Sequence, residues 1–476
     1  MNDITANITC EKPEDEASQK SLQATRNLHS CLLNEAQQLT SARQWQAALR
    51  TLYRAYILLP GSAPVLHSMS ALYLALGDKD SAMTTRRGVV PEYAEKSYLN
   101  ARSTKRLQIK SKAASFCQHI ITHPPEKRML TTPKSNLVPT SRPEFRATAT
   151  ESRGSFVSVL NDGAFWFDGY NSVIVDRNEQ VLREHIKGNP YVVAEAAKFG
   201  YDRKLSGTAC FLDARSSSIY YHWMMDVLPK FLLLEAAGIR LQSIDYFVVR
   251  CASKFQLQTL EILGVPKERI VSTRPEAFTR CEKLIVPFLK HDRGDRFYNG
   301  MGLGMSRWVP QWLKSVFITT SGPAGRRLYL SRKAGTSRSV TDEPLLIQAL
   351  LTRNFECVLL EELNVHEQAN LLASASVVVG PHGAGFTNIS FCRPSTKIIE
   401  IFSDYVVPCY WTLAELTNLD YHAYFTSATR QKAAQNTKPN ENLPSLAERR
   451  EQPVTLNVHD FIQYLDTCLF DNSMAS

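Results

Sequence analysis

His222 and Asp226 stand four residues apart in the run Tyr220-Tyr221-His222-Trp223-Met224-Met225-Asp226-Val227-Leu228-Pro229-Lys230. On a helix that spacing puts both on one face, where the carboxylate orients the imidazole and raises its basicity. The pair suits removal of a proton from a hydroxyl nucleophile; a buried or capping histidine fits the same spacing. Which of the two takes the proton is not set by spacing. A second group is cationic. Leu328-Tyr329-Leu330-Ser331-Arg332-Lys333 continues to Ser337-Arg338, so Arg332, Lys333 and Arg338 follow a short apolar run. Guanidinium groups bind phosphate oxygens bidentately and would serve a leaving diphosphate without a metal, whereas the plain alternative is a solvated basic loop.

The third group opens with the β-branched run Val377 to Val379 and continues as Gly380-Pro381-His382-Gly383-Ala384-Gly385-Phe386-Thr387-Asn388. It reads as a buried parallel strand entering a glycine loop, with a helix starting near Thr387. Unpaired N–H groups at such a helix start attract anions, so His382, Gly383, Ala384, Gly385, Thr387 and Asn388 are candidate ligands of a phosphate-bearing molecule. A tight turn alone would use the same glycines. The loop lacks the third glycine of a dinucleotide fingerprint and the lysine of a P-loop, which counts against a nicotinamide oxidoreductase. Glu400, the carboxylate inside Lys397-Ile398-Ile399-Glu400-Ile401-Phe402, is placed to accept from ribose hydroxyls or to form a structural ion pair.

The elements that must position these groups alternate. Short β-type runs, Phe156 to Leu160, Ala164 to Phe167 and Ser172 to Val175, are separated by the turn signals Asn161-Asp162-Gly163 and Asp168-Gly169, which predicts a small antiparallel entry section. Strands then alternate with helices: 210–212, a helix over 221–237, 246–249, a helix over 254–263, and 283–286. After a helix at 306–315 the pattern repeats as 327–330, 343–351, 356–360, 365–373, 377–379 and 397–401. Two α/β lobes built on mostly parallel sheets follow. The last helix, near 458–469, is expected to fold back over the first lobe.

At 476 residues with 44% hydrophobic and 21% charged content, the chain can build several cores. Residues 1–20 are polar and read as disordered. Residues 21–100 carry helical periodicity, with Trp45, Ala48, Leu52, Tyr53 and Tyr56 echoed by Val65, Met69, Leu72, Tyr73 and Leu76, near the 34-residue period of tetratricopeptide repeats. Fewer than about three such repeats rarely stand alone, so the region is expected to pack on its neighbour, bind a protein partner or self-associate. Residues 101–150 hold ten Lys/Arg against Glu126 and Glu144, nearly all of the formal charge of +9, and read as a basic linker. An acidic partner is one use for it; nucleic acid is not expected, because no aromatic residues interleave the cations. Residues 431–453 are polar and predict a mobile loop, and 454–476 the closing helix. The ten cysteines form no C-x-x-C pair, so free thiols are expected. No apolar run spans a bilayer and no signal core opens the chain, which gives the expectation of a cytoplasmic protein without a transmembrane segment.

Taken in order, Tyr220-Tyr221-His222-Trp223 to Asp226-Val227-Leu228-Pro229, Leu330-Ser331-Arg332, Arg338, Glu367-Gln368, Gly380 to Gly385, Thr387-Asn388, Phe391-Cys392 and Ile399-Glu400 resemble glycosyltransferase family 61. The resemblance covers about 155–425. It implies a GT-B fold: 151–320 as an acceptor-side lobe and 321–430 as a nucleotide-sugar lobe, facing a cleft. It also implies inverting transfer from a UDP-sugar to a glycan or protein acceptor, with no cofactor and no metal required, in glycan or surface polysaccharide synthesis. Ile219 stands where the family often has Asn, and Thr341-Asp342-Glu343 where an Asn-Glu pair follows the arginine. The alternative is a non-catalytic nucleotide-sugar or glycan binder whose helical repeats recruit partners.

Overall fold

The computed structural model describes residues 16–58, 62–76, 81–82, 85, 108–110, 117–137, 143–145, 148–152, 154–169, 171–182, 185, 201–273, 277–289, 304–320, 322–332, 337–426, 429 and 446–470. The chain divides into two compact units, one mainly Met1–Ala101 and the other Arg102–Lys187 with Gly200–Ser476.

In the first unit the helices Glu16–Ser41, Trp45–Leu58 and Ala63–Ala75 follow one another. Ala48, Leu52 and Ala55 recur at helical spacing and are buried, as are Val65, Met69 and Leu72. Tyr53 and Tyr73, whose hydroxyls hydrogen-bond each other, join the second helix to the third. The rest of the second expected repeat lies outside the described residues, apart from helical positions at 81–82 and 85. Residues 1–15 lie outside them too.

The second unit contains two sheets. In the first, Phe278–Phe288, Tyr201–Phe211, Tyr246–Val248 and Ile270–Val271 are parallel neighbours. Around Ser155–Phe167 the pairing is antiparallel, with Phe278–Phe288 on one side and Ser172–Val175 and Cys117–His123 also paired to it. The sheet is therefore mixed, and only one half has the expected parallel order. Asn161-Asp162-Gly163 is not a turn: one strand runs from Ser155 to Phe167, with Asp162 at φ +56° inside it.

The second sheet is parallel throughout, in the order Phe355–Val358, Arg326–Leu330, Ala375–Pro381, Lys397–Phe402, Asp420–Phe425, Lys134–Ser135. Its central strands are apolar because both faces are covered. The region 101–150 is thus no simple linker: Cys117–His123 joins the first sheet, Lys134–Ser135 extends the second, and Glu126–Leu130 pairs with Thr148–Ser152. The closing helix Val458–Phe470 also departs from expectation. Phe461 and Leu465 pack with Val377, Val379, Ile399 and Tyr424, so it covers the second sheet rather than the first. Arg353 pairs with Asp466 at 2.6 Å on the same side. Among the described residues no helix is long and apolar enough to cross a membrane.

Asp420 opens the strand Asp420–Phe425 among two lysines and a histidine: its carboxylate lies 3.2 Å from His422 Nε2, 2.8 Å from Lys134 Nζ and 3.2 Å from Lys397 Nζ. The bond to His422, with help from Lys134 and Lys397, holds its carboxyl well below the usual carboxylate range. A carboxyl depressed in the folded state stabilises above its unfolded pKa of about 3.9 and loses that contribution as pH falls. Asp420→Asn should therefore destabilise the fold at pH 7 by about 1–3 kcal/mol. In thermal unfolding, the wild-type advantage should shrink as pH falls below about 4. Equal melting temperatures at pH 7 would contradict this.

Candidate active site

In the second sheet, chain order and spatial order part company between Arg326–Leu330 and Ala375–Pro381. The connection after Arg326–Leu330 leads outward to Phe355–Val358, and the chain then returns to place Ala375–Pro381 on the other side. Crevices outside the carboxyl ends of parallel strands, at such a reversal, are where ligands bind in open α/β sheets. Both sequence-predicted phosphate groups leave the sheet here, Arg332 after one strand and His382 to Gly385 after the other. Tyr329 and Val379 are register partners, so the two loops start side by side.

Two glycines stand at close approaches, Gly380 against backbone and Gly383 against the end of an arginine side chain. A Cβ on Gly380 would lie 2.9 Å from the Leu330 carbonyl oxygen and 3.0 Å from the Phe386 ring. A Cβ on Gly383 would lie 1.8 Å from Arg332 Nη1, so the guanidinium occupies the space over the loop. The backbone of Gly383 is extended, at φ 178°, and then enters the 3-10 turn Ala384–Phe391, whose first N–H groups have no partner within the turn. Ser331 and Tyr329 fix the other loop by donating to Glu343 Oε1 at 2.9 and 2.7 Å.

Arg332 and Arg338 are both partly buried, and the Nε of each is enclosed without a hydrogen-bond partner. Burial lowers the pKa of both; for Arg332 the neighbouring Arg338 adds to it. Arg338 lies over the Tyr405 ring at 5.1 Å and takes a left-handed backbone at φ +60°, a conformation that costs a non-glycine residue about 1 kcal/mol or more. Among the described residues neither arginine forms an ion pair with a carboxylate. Two guanidiniums drawn together with no directly paired carboxylate among the described residues concentrate positive charge of the kind that suits an anion. Lys333 lies outside the described residues.

His222 and Asp226 meet as their spacing predicts: Nδ1 lies 2.7 Å from Asp226 Oδ2, and each side chain keeps about a fifth of its surface open, 23% and 22%. The helix that carries them is not a plain α-helix. Tyr220–His222 is α-helical and Trp223–Val227 is one π turn, with Leu228 N–H bonded to Trp223 O at 3.0 Å. Pro229 has no N–H to continue an α ladder, and buried Trp223, Met224, Met225 and Val227 hold the widened turn. Lys230, also buried, starts the next helix and donates from Nζ to the Leu212 and Asp213 carbonyls at 2.6 and 2.8 Å.

The two halves are joined through Asn388. Tyr220 donates its hydroxyl to Asn388 Oδ1 at 2.8 Å, and Asn388 Nδ2 donates to Gln368 Oε1 at 2.9 Å and to Gly385 O at 3.1 Å. Asn388 is 1% exposed with its carboxamide fully used, so it is a brace rather than the donor ligand expected from sequence. Thr387, at 0%, is likewise below the surface of the loop. Glu400, also at 0%, does not reach a ribose: one carboxylate oxygen bonds His382 Nδ1 and the other accepts from the Tyr421 hydroxyl. Its effect is to fix the His382 ring, which stacks on Phe402 at 5.3 Å. Ala384 and Gly385 remain partly exposed at the loop surface.

Tyr410, which no sequence pattern marked, lies between these groups. Its ring centroid is 5.7 Å from Tyr221, beside His222, and 5.3 Å from His382. It is the second residue of the helix Cys409–Thr417, which follows the strand Lys397–Phe402. A separate cavity, lined by His185, Asp213 and Lys230 among others, offers about 20 Å³, room for about one water and no ligand. Among the described residues no group of three or more His, Cys, Asp or Glu side chains could hold a metal ion.

Residues 220–399 match the family described as Glycosyltransferase 61. A beta-1,2-xylosyltransferase of Oryza sativa subsp. japonica is 39% identical over 66 residues, 14% of this chain and 12% of that protein. A beta-1,2-xylosyltransferase of Arabidopsis thaliana is 36% identical over 73 residues, 15% of this chain and 14% of that protein. The matches thus span a small part of these relatives' length. A crystal structure of a glycosyl transferase family 9 protein from Veillonella parvula DSM 2008 aligns with 58% of this chain and 99% of its own, at 12% identity and a TM-score of 0.27.

Proposed function

We propose that this protein is an inverting glycosyltransferase with a GT-B arrangement. In this reading it moves a sugar from a UDP-sugar to an acceptor hydroxyl in glycan or surface polysaccharide synthesis. Similarity to two beta-1,2-xylosyltransferases makes a pentose, xylose first, the sugar to try. One observation carries the reading: Arg332, with Arg338 beside it and neither ion-paired to a carboxylate among the described residues, lies over the Gly383–Gly385 loop at the sheet's reversal point, which is braced through Tyr220–Asn388 to the helix of His222 and Asp226.

The donor diphosphate takes the place between the guanidiniums and the first N–H groups of the 3-10 turn, with His382 at its edge. Asp226 accepts from His222 Nδ1–H, which leaves Nε2 as the base; Asp226 is the orienter. As the acceptor oxygen bonds to the anomeric carbon, its proton passes to Nε2. The bond from that carbon to the diphosphate breaks on the opposite side, and its electron pair leaves with UDP. Attack opposite the leaving group inverts the anomeric centre. The arginines stabilise charge that grows on the leaving oxygens, where preorganised donors act most strongly.

A panel of UDP-xylose, UDP-arabinose and UDP-N-acetylglucosamine, offered with glycan acceptors, tests the reading through UDP release and product mass. Wild-type protein should transfer from at least one donor, with His222→Ala and Arg332→Ala near background. Wild-type turnover in both variants would sink it, and donor binding with no product from any acceptor would favour a non-catalytic binder.

A further inference from the structure

The anion site has a wall outside the family-matched stretch. The short helix Leu446–Glu451 leads to Val454, which forms a parallel bridge with Val340, two residues past Arg338. Val454 N–H donates to Ser339 O at 2.9 Å and Thr341 N–H donates to Val454 O at 3.0 Å. Val454 itself is buried, so the bridge is a fixed anchor. At the other end Arg449 Nη1 donates to the Asp404 carbonyl at 3.4 Å, next to the Tyr405 whose ring lies under Arg338. The part of the expected mobile loop that falls on 446–453 is therefore folded, and 431–445 lies outside the described residues.

Between these anchors stand Arg450 and Glu451. The Arg450 charge opposes that of Arg338, while the Glu451 carboxylate acts favourably on both Arg332 and Arg338. Glu451 nevertheless makes its ion pair with Arg450, Nε to Oε1 at 2.7 Å, and both side chains are about half exposed. An exposed pair of this kind is weakly held and readily exchanged. Glu361 also acts favourably on Arg332, but only Glu451, on a strap whose backbone is fixed, acts on both Arg332 and Arg338 while it is loosely paired with Arg450.

We propose that residues 449–454 complete the donor site, with Arg450 as a third phosphate-binding cation and Glu451 as a built-in counter-ion that an incoming diphosphate displaces. The inference rests on the reading of Arg332 and Arg338 as diphosphate ligands. Glu451 then competes with the donor, and Arg450, once released from Glu451, turns to the phosphate.

Calorimetric titration of the full chain with UDP tests this. Arg450→Gln should weaken binding about tenfold, as loss of one charge-assisted hydrogen bond does, and Glu451→Gln should tighten it several-fold. Both positions are exposed, so the variants should fold normally. Arg332→Ala serves as the reference. If it weakens UDP binding while Arg450→Gln and Glu451→Gln leave it unchanged, or if Glu451→Gln weakens it, the strap inference is overturned and the donor reading stands. If Arg332→Ala binds UDP as the wild type does, the donor reading fails and the inference falls with it.

Discussion

His222→Ala should lower transfer turnover by roughly 10²–10⁴-fold, the usual contribution of a positioned general base, and leave UDP affinity within about twofold. The split follows from geometry. The imidazole is bonded to Asp226 on the π-turn helix, whereas the Arg332 and Gly383 loops leave the carboxyl edge of the second sheet. Asp226→Asn should fall by a smaller factor, since the ring keeps a hydrogen-bond partner but loses the carboxylate that orients Nδ1–H. Turnover and UDP binding measured on the same preparations check both parts. Equal loss of turnover and affinity in His222→Ala would mean that the ring supports the donor loop instead of acting on the acceptor.

A single methyl group at Gly383 should be almost as damaging as removal of the arginine above it. The Cβ of Gly383→Ala would fall 1.8 Å from Arg332 Nη1, so the guanidinium or the loop must move. Loss of one preorganised donor to a developing anion typically costs about 10²–10³ in turnover, and kcat/KM for the UDP-sugar should fall by a similar factor in both Gly383→Ala and Arg332→Ala. Because the two changes act on one contact, the double variant should be little worse than Arg332→Ala alone. A fully active Gly383→Ala, or losses that multiply in the double variant, would show that the arginine and the loop work separately.

Much of the second sheet was legible because its strands are buried on both faces. Val377 to Val379 reads as an unbroken apolar run and Lys397 to Ile401 as a mostly apolar one with Glu400 inside it, and the helices Glu343–Leu351 and Val365–Ala373 lie where their periodicity placed them. The strands before residue 150 were not legible, since they are half exposed: Ile121 is 79% exposed, and polar side chains mask the alternation in Glu126–Leu130. Asn161-Asp162-Gly163 has turn chemistry, but a left-handed Asp162 also fits within a long paired strand, and local residues cannot distinguish the two. In the site, the His222–Asp226 pair and the arginine and glycine loops were readable from spacing. The partners of Glu400 were not. Tyr421 comes from the neighbouring strand and His382 from the loop beyond the previous one, so the network exists only once the parallel register is set. Tyr410 and the 449–454 strap share that property, being brought to the site by tertiary packing alone.

The central claim is that the paired arginines and the glycine loop hold a nucleoside diphosphate. The most direct measurement is calorimetric titration of UDP into the wild type, His222→Ala, and the Arg332→Ala/Arg338→Ala double variant. The account predicts one-to-one binding in the wild type, nearly the same affinity in His222→Ala, and at least about a hundredfold weaker binding in the double variant, as loss of two charge-assisted contacts implies. Equal affinity in all three proteins would contradict it.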